Sequence, residues 1–251
     1  MTNYNPFSLE GKTILVTGAS SGIGKAIAIE CSKMGATVVI TGRNAHRLTE
    51  TFDQLEGSDN IQIVADLSIE NSIENLIEQT PPINGLVNCA GISGHKLFKF
   101  ISDSYVRDMF DINFFSATFL THQLLKFNKI SKDGSIIFMT STSGIVSSYI
   151  GGAIYSATKG ALGGLIKGLA LDLAPKRIRV NSIMPAMVET PIMEGGDVDD
   201  IQLEEDRKKY PLKRYGKPEE VAYAAIYLLS NASAWTTGSN LLLDGGRTIS
   251  Y

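Results

Sequence analysis

The sequence predicts an α/β protein in which parallel strands form one doubly wound sheet with helices on both faces. About seven short runs of β-branched and aliphatic residues recur along the 251 residues, as expected for parallel strands buried on both faces. Segments with apolar residues three and four positions apart, such as 23–34 and 69–79, alternate with these runs as amphipathic helices do. No linker interrupts the pattern, so we expect one domain over residues 1–251. The predicted strands are 13–17, 37–41, 61–65, 85–89, 135–140, 179–183 and 240–243.

A glycine-rich turn, "TGASSGIG" over residues 17–24, follows the first predicted strand. A helix that starts here would present unpaired amides and the positive end of its dipole, which suits a phosphate. In a doubly wound sheet this first turn meets the pyrophosphate of a dinucleotide. A tight strand-to-helix turn without a ligand is the alternative. The candidate cofactor-binding residues here are Gly18, Ser20, Ser21, Gly22, Ile23 and Gly24.

The end of the second predicted strand indicates which dinucleotide binds. An NAD site places a carboxylate there for the ribose 2′-hydroxyl, whereas an NADP site places a cation for the 2′-phosphate. No Asp or Glu occurs between Gly35 and Thr49, and Arg43 follows the strand directly. Because a guanidinium suits phosphate, the sequence predicts NADP(H) as the cofactor. The alternative is that Arg43 is a solvated loop residue.

The segment "YSATK" places Tyr155 and Lys159 four residues apart, hence on one face of a helix. An ordinary phenol, with a pKa near ~10, transfers protons poorly at neutral pH. An adjacent ammonium and the positive ring of an oxidised nicotinamide would lower that pKa. Tyr155 could then act as general acid when a ketone is reduced and as base in reverse. The pair is common on ordinary helices, so its meaning depends on the nucleotide site.

These segments resemble the short-chain dehydrogenases/reductases, whose glycine motif is TGxxxGxG and whose fold is the Rossmann type. The similarity runs in order from Leu9 to Arg247. In this resemblance Cys89 replaces an asparagine of the family's NNAG element, and Ala186 replaces the glycine of its PG segment. Alanine at Ala186 would be strained if that position needs a positive φ. The resemblance implies further cofactor contacts at Asp66, Leu67, Asn88, Ala90, Gly91, Pro185, Val188 and Thr190.

The resemblance also implies a serine that hydrogen-bonds the substrate carbonyl and an asparagine that helps hold a water and the lysine. Asn113 fits the asparagine, with a local role inside a helix as the alternative. Ser141 and Ser143 both fit the serine. The Gly144 that follows favours Ser141, although Ser141 then lies 14 residues before Tyr155, one more than is usual in the family. We therefore predict Ser141 and keep Ser143 as the alternative.

Composition excludes several classes of protein. The hydrophobic share of 43% and charged share of 20% are ordinary for a globular chain, and no apolar stretch approaches the ~20 residues of a membrane span. The formal charge of −3 argues against nucleic acid or an anionic membrane as a partner. The first residues lack a cationic segment followed by an apolar one, so we expect a cytoplasmic protein.

The cysteines and histidines do not form a metal-binding pattern. Cys31 and Cys89 lack CxxC spacing, and we expect both to be small apolar groups in the core. The three histidines, His46, His95 and His122, are scattered along the chain. We therefore predict no metal site.

The resemblance implies a carbonyl reductase or alcohol dehydrogenase that acts on a small carbonyl or hydroxyl compound. The 3-oxoacyl-[acyl-carrier-protein] reductases are the nearest branch, which would make the substrate an acyl thioester, and sugar or polyol dehydrogenases of the gluconate 5-dehydrogenase type are the alternative. Lys132 and Lys176 lie where that nearest branch carries basic residues, which suits an acidic carrier, whereas the acidic run 194–206 would repel one. A non-catalytic nucleotide-binding sensor or scaffold is the alternative from another class.

The helical period is lost over residues 190–214, which we interpret as a lid over the substrate, with a solvated surface excursion as the alternative. By resemblance, we expect a homotetramer in which the helices around 103–126 and 155–173 pair between subunits. The candidates for lining the substrate pocket are His95, Phe98, Tyr149, Met187 and Met193.

Overall fold

The computed structural model describes residues 4–191 and 200–250. Within these residues, seven strands form one sheet in the order β3-β2-β1-β4-β5-β6-β7. Every neighbouring pair is parallel, so the predicted doubly wound sheet is confirmed. The strands are β1 (Thr13–Thr17), β2 (Thr37–Gly42), β3 (Ile61–Val64), β4 (Ile83–Asn88), β5 (Ile130–Met139), β6 (Arg179–Pro185) and β7 (Asn240–Leu243).

Helices cover both faces of the sheet. Apolar residues that follow each other along a strand point to opposite faces. In β1, Ile14 and Val16 pack in the core on one face, and Leu15 packs in the core on the other. Burial on both faces explains why the strands consist of nearly continuous apolar runs. The helices are α1 (Gly22–Lys33), α2 (Ala45–Phe52), α3 (Glu70–Gln79), α4 (Asp103–Phe110), α5 (Ser116–Lys126), α6 (Ala153–Leu173), α7 (Asp200–Arg207) and α8 (Pro218–Leu229).

Strand β5 begins earlier than predicted, at Ile130 instead of Ser135. Its first residues pair with the start of β4, and the register shifts between Ile83 and Gly85. Asp133 lies in the left-handed region with φ 63°. The polar "SKDG" stretch, which lies outside the predicted strand 135–140, is therefore an irregular start to β5.

A π-helical turn, Asp111–Phe115, connects α4 directly to α5. The family resemblance implied helices around 103–126 but not this local widening, which places Asn113 in the buried interior. Such turns occur frequently at functional sites. This one faces the loop that follows β4, because the Asn113 side chain bonds to the backbone of Ile92.

The predicted lid over 190–214 lies partly outside the described residues, as does Met193. Helix α7 belongs to its described part. The Tyr215 hydroxyl, next to the lid, donates to the Leu203 carbonyl at 3.1 Å. Among the described residues, no helix is long and apolar enough to cross a membrane.

Candidate active site

The carboxyl ends of the strands form one edge of the sheet, where ligands bind in doubly wound folds. Strand β1 ends at Thr17, β4 at Asn88, β5 at Met139 and β6 at Pro185. Helix α6, with Tyr155 in its first turn, begins at the same edge. The structure thus brings the ends of four strands and the Tyr155 segment together.

The glycine turn after β1 needs its glycines for close contacts between backbone segments. Gly18 has φ +65°, and a Cβ there would lie only 2.8 Å from the Ala90 nitrogen. A Cβ at Gly24 would collide with the Gly18 carbonyl oxygen. Thr17 fixes the same contact, because its hydroxyl accepts from the amides of Cys89 at 3.0 Å and Ala90 at 3.1 Å. Thr17 is the first residue of the glycine motif, but the motif alone does not indicate this bracing role.

The start of α1 fits an anion. Ser21 is the N-cap residue, yet its side chain makes no capping hydrogen bond. The first turn of α1, all of whose residues the structure describes, has no acidic residue. By contrast, Asn44 caps α2 and Ser102 caps α4 through their side chains. The amides of α1 therefore remain available to a phosphate.

Two more residues of the turn have different surroundings. The Ser20 hydroxyl lies beside the end of β2, since a Cβ at Gly42 would be 3.3 Å from its Oγ. Ile23 packs against the apolar core. Ser20 therefore lies toward the predicted 2′-phosphate position, whereas Ile23 contributes packing.

Arg43, exposed after β2, and Asp66, after β3, lie near each other. An Asp66 oxygen accepts from the Ser68 amide at 3.0 Å and the Ser68 hydroxyl at 2.7 Å. These bonds hold the pKa of Asp66 below its usual range, and the Arg43 charge adds a smaller lowering. Leu67 packs partly buried against the core. Asp66 is thus a fixed carboxylate beside the Arg43 position.

Asn88 is buried at the end of β4, and only one of its two side-chain polar atoms has a hydrogen-bond partner among the described residues. Its Nδ2 donates to the Thr121 hydroxyl at 3.1 Å, whereas its Oδ1 is buried without a hydrogen-bond partner among the described residues. Buried polar atoms in native proteins usually have a partner. The free oxygen is therefore an acceptor that a ligand hydroxyl could satisfy.

Asn113 fixes the segment after β4. Its Oδ1 accepts from the Ile92 amide at 2.8 Å, and its Nδ2 donates to the Ile92 carbonyl at 3.0 Å. A Cβ at Gly91 would lie 3.0 Å from that Oδ1 and 3.6 Å from the Lys159 Nζ, so the three residues are neighbours. That Asn113 also helps hold a water and the lysine stays a prediction.

Lys159 is a buried cation next to the ring of Tyr155. Its side chain is on the same helical face, and its Nζ lies 5.8 Å from the ring centroid. The Nζ donates to the Met139 carbonyl at 2.9 Å. The residue is 6% exposed, and burial lowers the pKa of Lys159 to about 8.

The pKa of Tyr155 differs in direction from the sequence-based expectation. Among the chain's own groups, burial has the largest effect and raises the pKa of this phenol, whereas a hydrogen bond with the Ser141 side chain lowers it. Desolvation disfavours the phenolate more than the Ser141 hydrogen bond favours it. Tyr155 is therefore a neutral hydroxyl that has a proton to donate.

The two candidate serines are both buried but make different contacts. The Ser141 side chain forms a hydrogen bond with Tyr155. Its hydroxyl oxygen also accepts from the Ser143 amide at 3.1 Å. The backbone of Ser143 instead pairs with that of Ser147 in an isolated β-bridge within the loop. This geometry favours Ser141 over Ser143.

The segment after β6 lies between the serine loop and the glycine turn. The Pro185 carbonyl accepts from the Thr142 amide at 3.1 Å. Val188 bridges to Gly216, and the Thr190 methyl lies 3.3 Å from the position of a Cβ at Gly22. Both ends of this segment therefore reach predicted site residues.

Ala186 does not adopt the positive φ at which an alanine would be strained. The non-glycine residues with positive φ in the described part of the chain are Asn128, Asp133, Arg177 and Lys213. Ala186 instead continues the sheet pattern, and its amide donates to the Leu243 carbonyl at 2.9 Å. Alanine therefore replaces glycine here without backbone strain.

Lys132 and Lys176 do not line the mouth of this site. Lys132 lies near the amino end of β5, and Lys176 lies between the end of α6 and the start of β6. Both positions are at the edge of the sheet opposite to Tyr155. The basic docking surface expected at the mouth is therefore not provided by these residues of the same chain.

The cysteines and histidines have no common site. Cys31 is buried in the core, and Cys89 packs partly buried against it. Within residues 4–191 and 200–250, no three His, Cys, Asp or Glu side chains cluster as metal ligands would.

Comparisons with known proteins agree with this geometry. A family model described as enoyl-(acyl carrier protein) reductase matches residues 18–248. The 3-oxoacyl-[acyl-carrier-protein] reductase FabG of Rickettsia prowazekii (strain Madrid E) is 35% identical over 238 residues, which are 95% of this chain and 97% of that protein.

Solved structures show the same similarity over the whole fold. One, described as a short chain dehydrogenase/reductase family protein, is 34% identical with a TM-score of 0.87, over 96% of this chain and 99% of that one. Another, provisionally assigned as an NAD(P)-dependent gluconate 5-dehydrogenase from Beutenbergia cavernae with NADP bound at low occupancy, is 31% identical with a TM-score of 0.88, over 98% and 100% of the two chains. Together with the site described above, these matches show that the chain belongs to the short-chain dehydrogenase/reductase family of oxidoreductases.

Proposed function

We propose that this protein is an NADP(H)-dependent carbonyl reductase in which Tyr155 donates the proton to the ketone oxygen. The observation that carries the proposal is a neutral, partly buried phenol beside a buried cation and a serine hydroxyl, at the sheet edge where the glycine turn opens. Bound NADPH would supply the hydride. In the reverse direction Tyr155 accepts the proton from an alcohol.

Each chain residue has a separate task in this reaction. Ser141 donates to the carbonyl oxygen and holds it near the Tyr155 hydroxyl. When Tyr155 gives up its proton, the phenolate that remains is stabilised by the charge of Lys159. Because burial brings the pKa of Lys159 to about 8, this cation is mostly protonated at pH 7 and loses its charge as the pH rises through 8. Reduction should therefore slow above about pH 8.

The residues described above fit a dinucleotide. The uncapped start of α1 would hold the pyrophosphate, and the free Oδ1 of Asn88 would accept from a ligand hydroxyl. Pro185, Val188 and Thr190 would hold the carboxamide of the nicotinamide, while Asp66 and Leu67 would lie beside the adenine.

Arg43 is proposed to select NADP(H) over NAD(H). The support is its exposed position after β2 and the nearby Ser20 hydroxyl, a pair of donors suited to a 2′-phosphate. Arg43→Asp should weaken NADPH binding much more than NADH binding in a fluorescence titration. Lys132→Asp makes the same change of charge at the opposite sheet edge and should alter neither affinity. An equal effect of Arg43→Asp on both cofactors would refute this preference.

The substrate class can be tested directly by following NADPH oxidation. Acetoacetyl thioesters represent the acyl-carrier branch, keto-sugars the gluconate 5-dehydrogenase branch, and diketones a general reductase. Turnover of keto-sugars but not thioesters would favour the second branch, to which one structural relative is provisionally assigned. NADPH binding without turnover of any of them would favour a sensor or scaffold.

A homotetramer is proposed from the apolar surface of α5 and its neighbours. Phe115 and Phe119 are 38% and 53% exposed and stack on each other beside α6. These are the helices that the family resemblance pairs between subunits. Light scattering of the purified protein tests this, and the cytoplasmic location stays a prediction.

A further inference from the structure

Two loops at the carboxyl edge of the sheet are fastened to each other beside Tyr155. One follows β4 and contains Gly94 and Lys96, and the other joins β5 to α6 and contains Tyr149 and Gly151. The Lys96 amide donates to the Gly151 carbonyl at 2.8 Å. The Tyr149 hydroxyl donates to the Gly94 carbonyl at 2.6 Å. Each loop therefore limits the movement of the other.

The ring of Tyr149 neighbours both the imidazole of His95 and the phenol of Tyr155. Its centroid is 6.2 Å from that of Tyr155 at an interplanar angle of 47°, and 6.2 Å from that of His95 at 5°. Gly152 leaves room for it, because a Cβ there would lie 2.7 Å from the Tyr149 Cζ. Tyr149 is nevertheless 40% exposed, so a ligand can reach part of its surface.

A carbonyl that accepts a hydrogen bond from Tyr155 would lie close to this ring, because the two ring centroids are 6.2 Å apart. The Tyr149 hydroxyl has its proton committed to Gly94, so it has none to donate to a substrate. The group available for contact is the flat apolar ring, held in place at its hydroxyl end and supported by His95. A ring held in this way cannot move aside, so it excludes bulky substituents of the substrate.

We infer that Tyr149 is a specificity-determining residue. Its ring, which is held by the hydrogen bond to Gly94, limits the size of the group that the substrate carries on one side of its carbonyl. The inference rests on the proposed function, because it takes Tyr155 as the proton donor. It gives the site a preference for flat or slender ketones over bulky ones.

The test is Tyr149→Ala in the full chain, with NADPH and cyclic ketones of graded size, from cyclopentanone to the bicyclic 1-decalone. We expect the ratio of kcat/KM for the largest ketone to that for the smallest to rise about tenfold or more, a range typical of steric discrimination. The loss for the small ketone should appear mainly in KM, because it loses a contact surface. Tyr149→Phe keeps the ring and removes only the hydrogen bond, so it should change the ratio much less.

Tyr223→Ala on α8 removes another exposed tyrosine, remote from the site, and should leave the ratio unchanged. An unchanged ratio in Tyr149→Ala, or an equal loss for all ketones, would overturn the inference by showing a merely structural role. An equal change in the Phe and Ala variants would overturn the role given to the ring. A wild-type chain that reduces thioesters, keto-sugars or diketones but none of these cyclic ketones overturns this inference alone. A chain that reduces no carbonyl compound, or binds no NADPH, overturns the proposed function as well.

Discussion

Replacing Lys159 by methionine should make the protein more stable while removing its activity. The lysine is buried, and burial lowers its pKa from 10.5 to about 8. That difference, about 2.5 pH units at ~1.36 kcal/mol each, means that the charged form destabilises the fold by about 3 kcal/mol at pH 7. Methionine has a similar length and no charge. It forgoes the hydrogen bond to the Met139 carbonyl, which contributes about 1 kcal/mol net.

The expected gain is therefore about 2 kcal/mol, or a rise in Tm of roughly 4–8 °C for a chain of this size. The sign of the pH dependence follows from the lowered pKa. Below pH 8 the amine is charged in both folded and unfolded chains, and the full destabilisation is present. Between pH 8 and 10.5 the folded chain loses the proton first, so wild type recovers stability and the difference from Lys159→Met shrinks.

The assay is a set of thermal melts of wild type and Lys159→Met between pH 6 and pH 10.5. Lys167→Met, an exposed lysine on the same helix, is the matched control and should stay within about 0.5 kcal/mol of wild type. A variant no more stable than wild type at pH 7 would refute the reasoning, because the ammonium would then not be destabilised by its surroundings.

Three further predictions concern the other residues of the site. Ser141→Ala should lower kcat by about 10²-fold because it removes the hydrogen bond to the carbonyl oxygen, whereas Ser143→Ala should retain most activity; steady-state kinetics that show the reverse would exchange their roles. Gly24→Ala should weaken NADPH binding at least about tenfold in a titration, because the new Cβ collides with the Gly18 carbonyl. Its control Gly164→Ala, on α6 with nothing within 4 Å, should stabilise the protein by about 0.5–1 kcal/mol; equal NADPH affinity of the two variants would contradict the role of the glycine turn. The rate of ketone reduction should fall as the pH rises through about 8, where Lys159 loses its proton, and a rate that is flat to pH 9.5 would remove Lys159 from the proposed chemistry.

The sheet could be predicted because burial on both faces leaves a strong sequence signal. Strand β1 was predicted with its observed bounds, since Ile14, Leu15 and Val16 all pack in a core. The start of β5 was missed because the exposed polar residues Lys132 and Asp133 interrupt its apolar pattern, and pairing of Ile130 with Ile83 of β4 makes this stretch part of the strand. Local composition contains no information on such pairing.

The candidate site was predictable where a sequence motif fixes the backbone. It was less predictable where the pKa or the contacts of a side chain depend on residues distant in the sequence. The glycine turn lies where its spacing requires, with Gly18 in the left-handed region. The direction of the pKa shift of Tyr155 depends on how deeply the phenol is buried, which the five residues of the YSATK segment do not indicate. The hydrogen bond from the Tyr149 hydroxyl to the Gly94 carbonyl joins residues far apart in the chain, so the sequence of neither loop alone indicates it.

The central claim is that the Tyr155 hydroxyl supplies the proton during ketone reduction. It is tested most directly by Tyr155→Phe, with kcat measured for the best ketone and the Kd of NADPH measured on the same preparation. We predict a fall in kcat of about 10²–10⁴-fold with NADPH affinity nearly unchanged. A phenylalanine variant that turns over ketone at the wild-type rate would contradict the account.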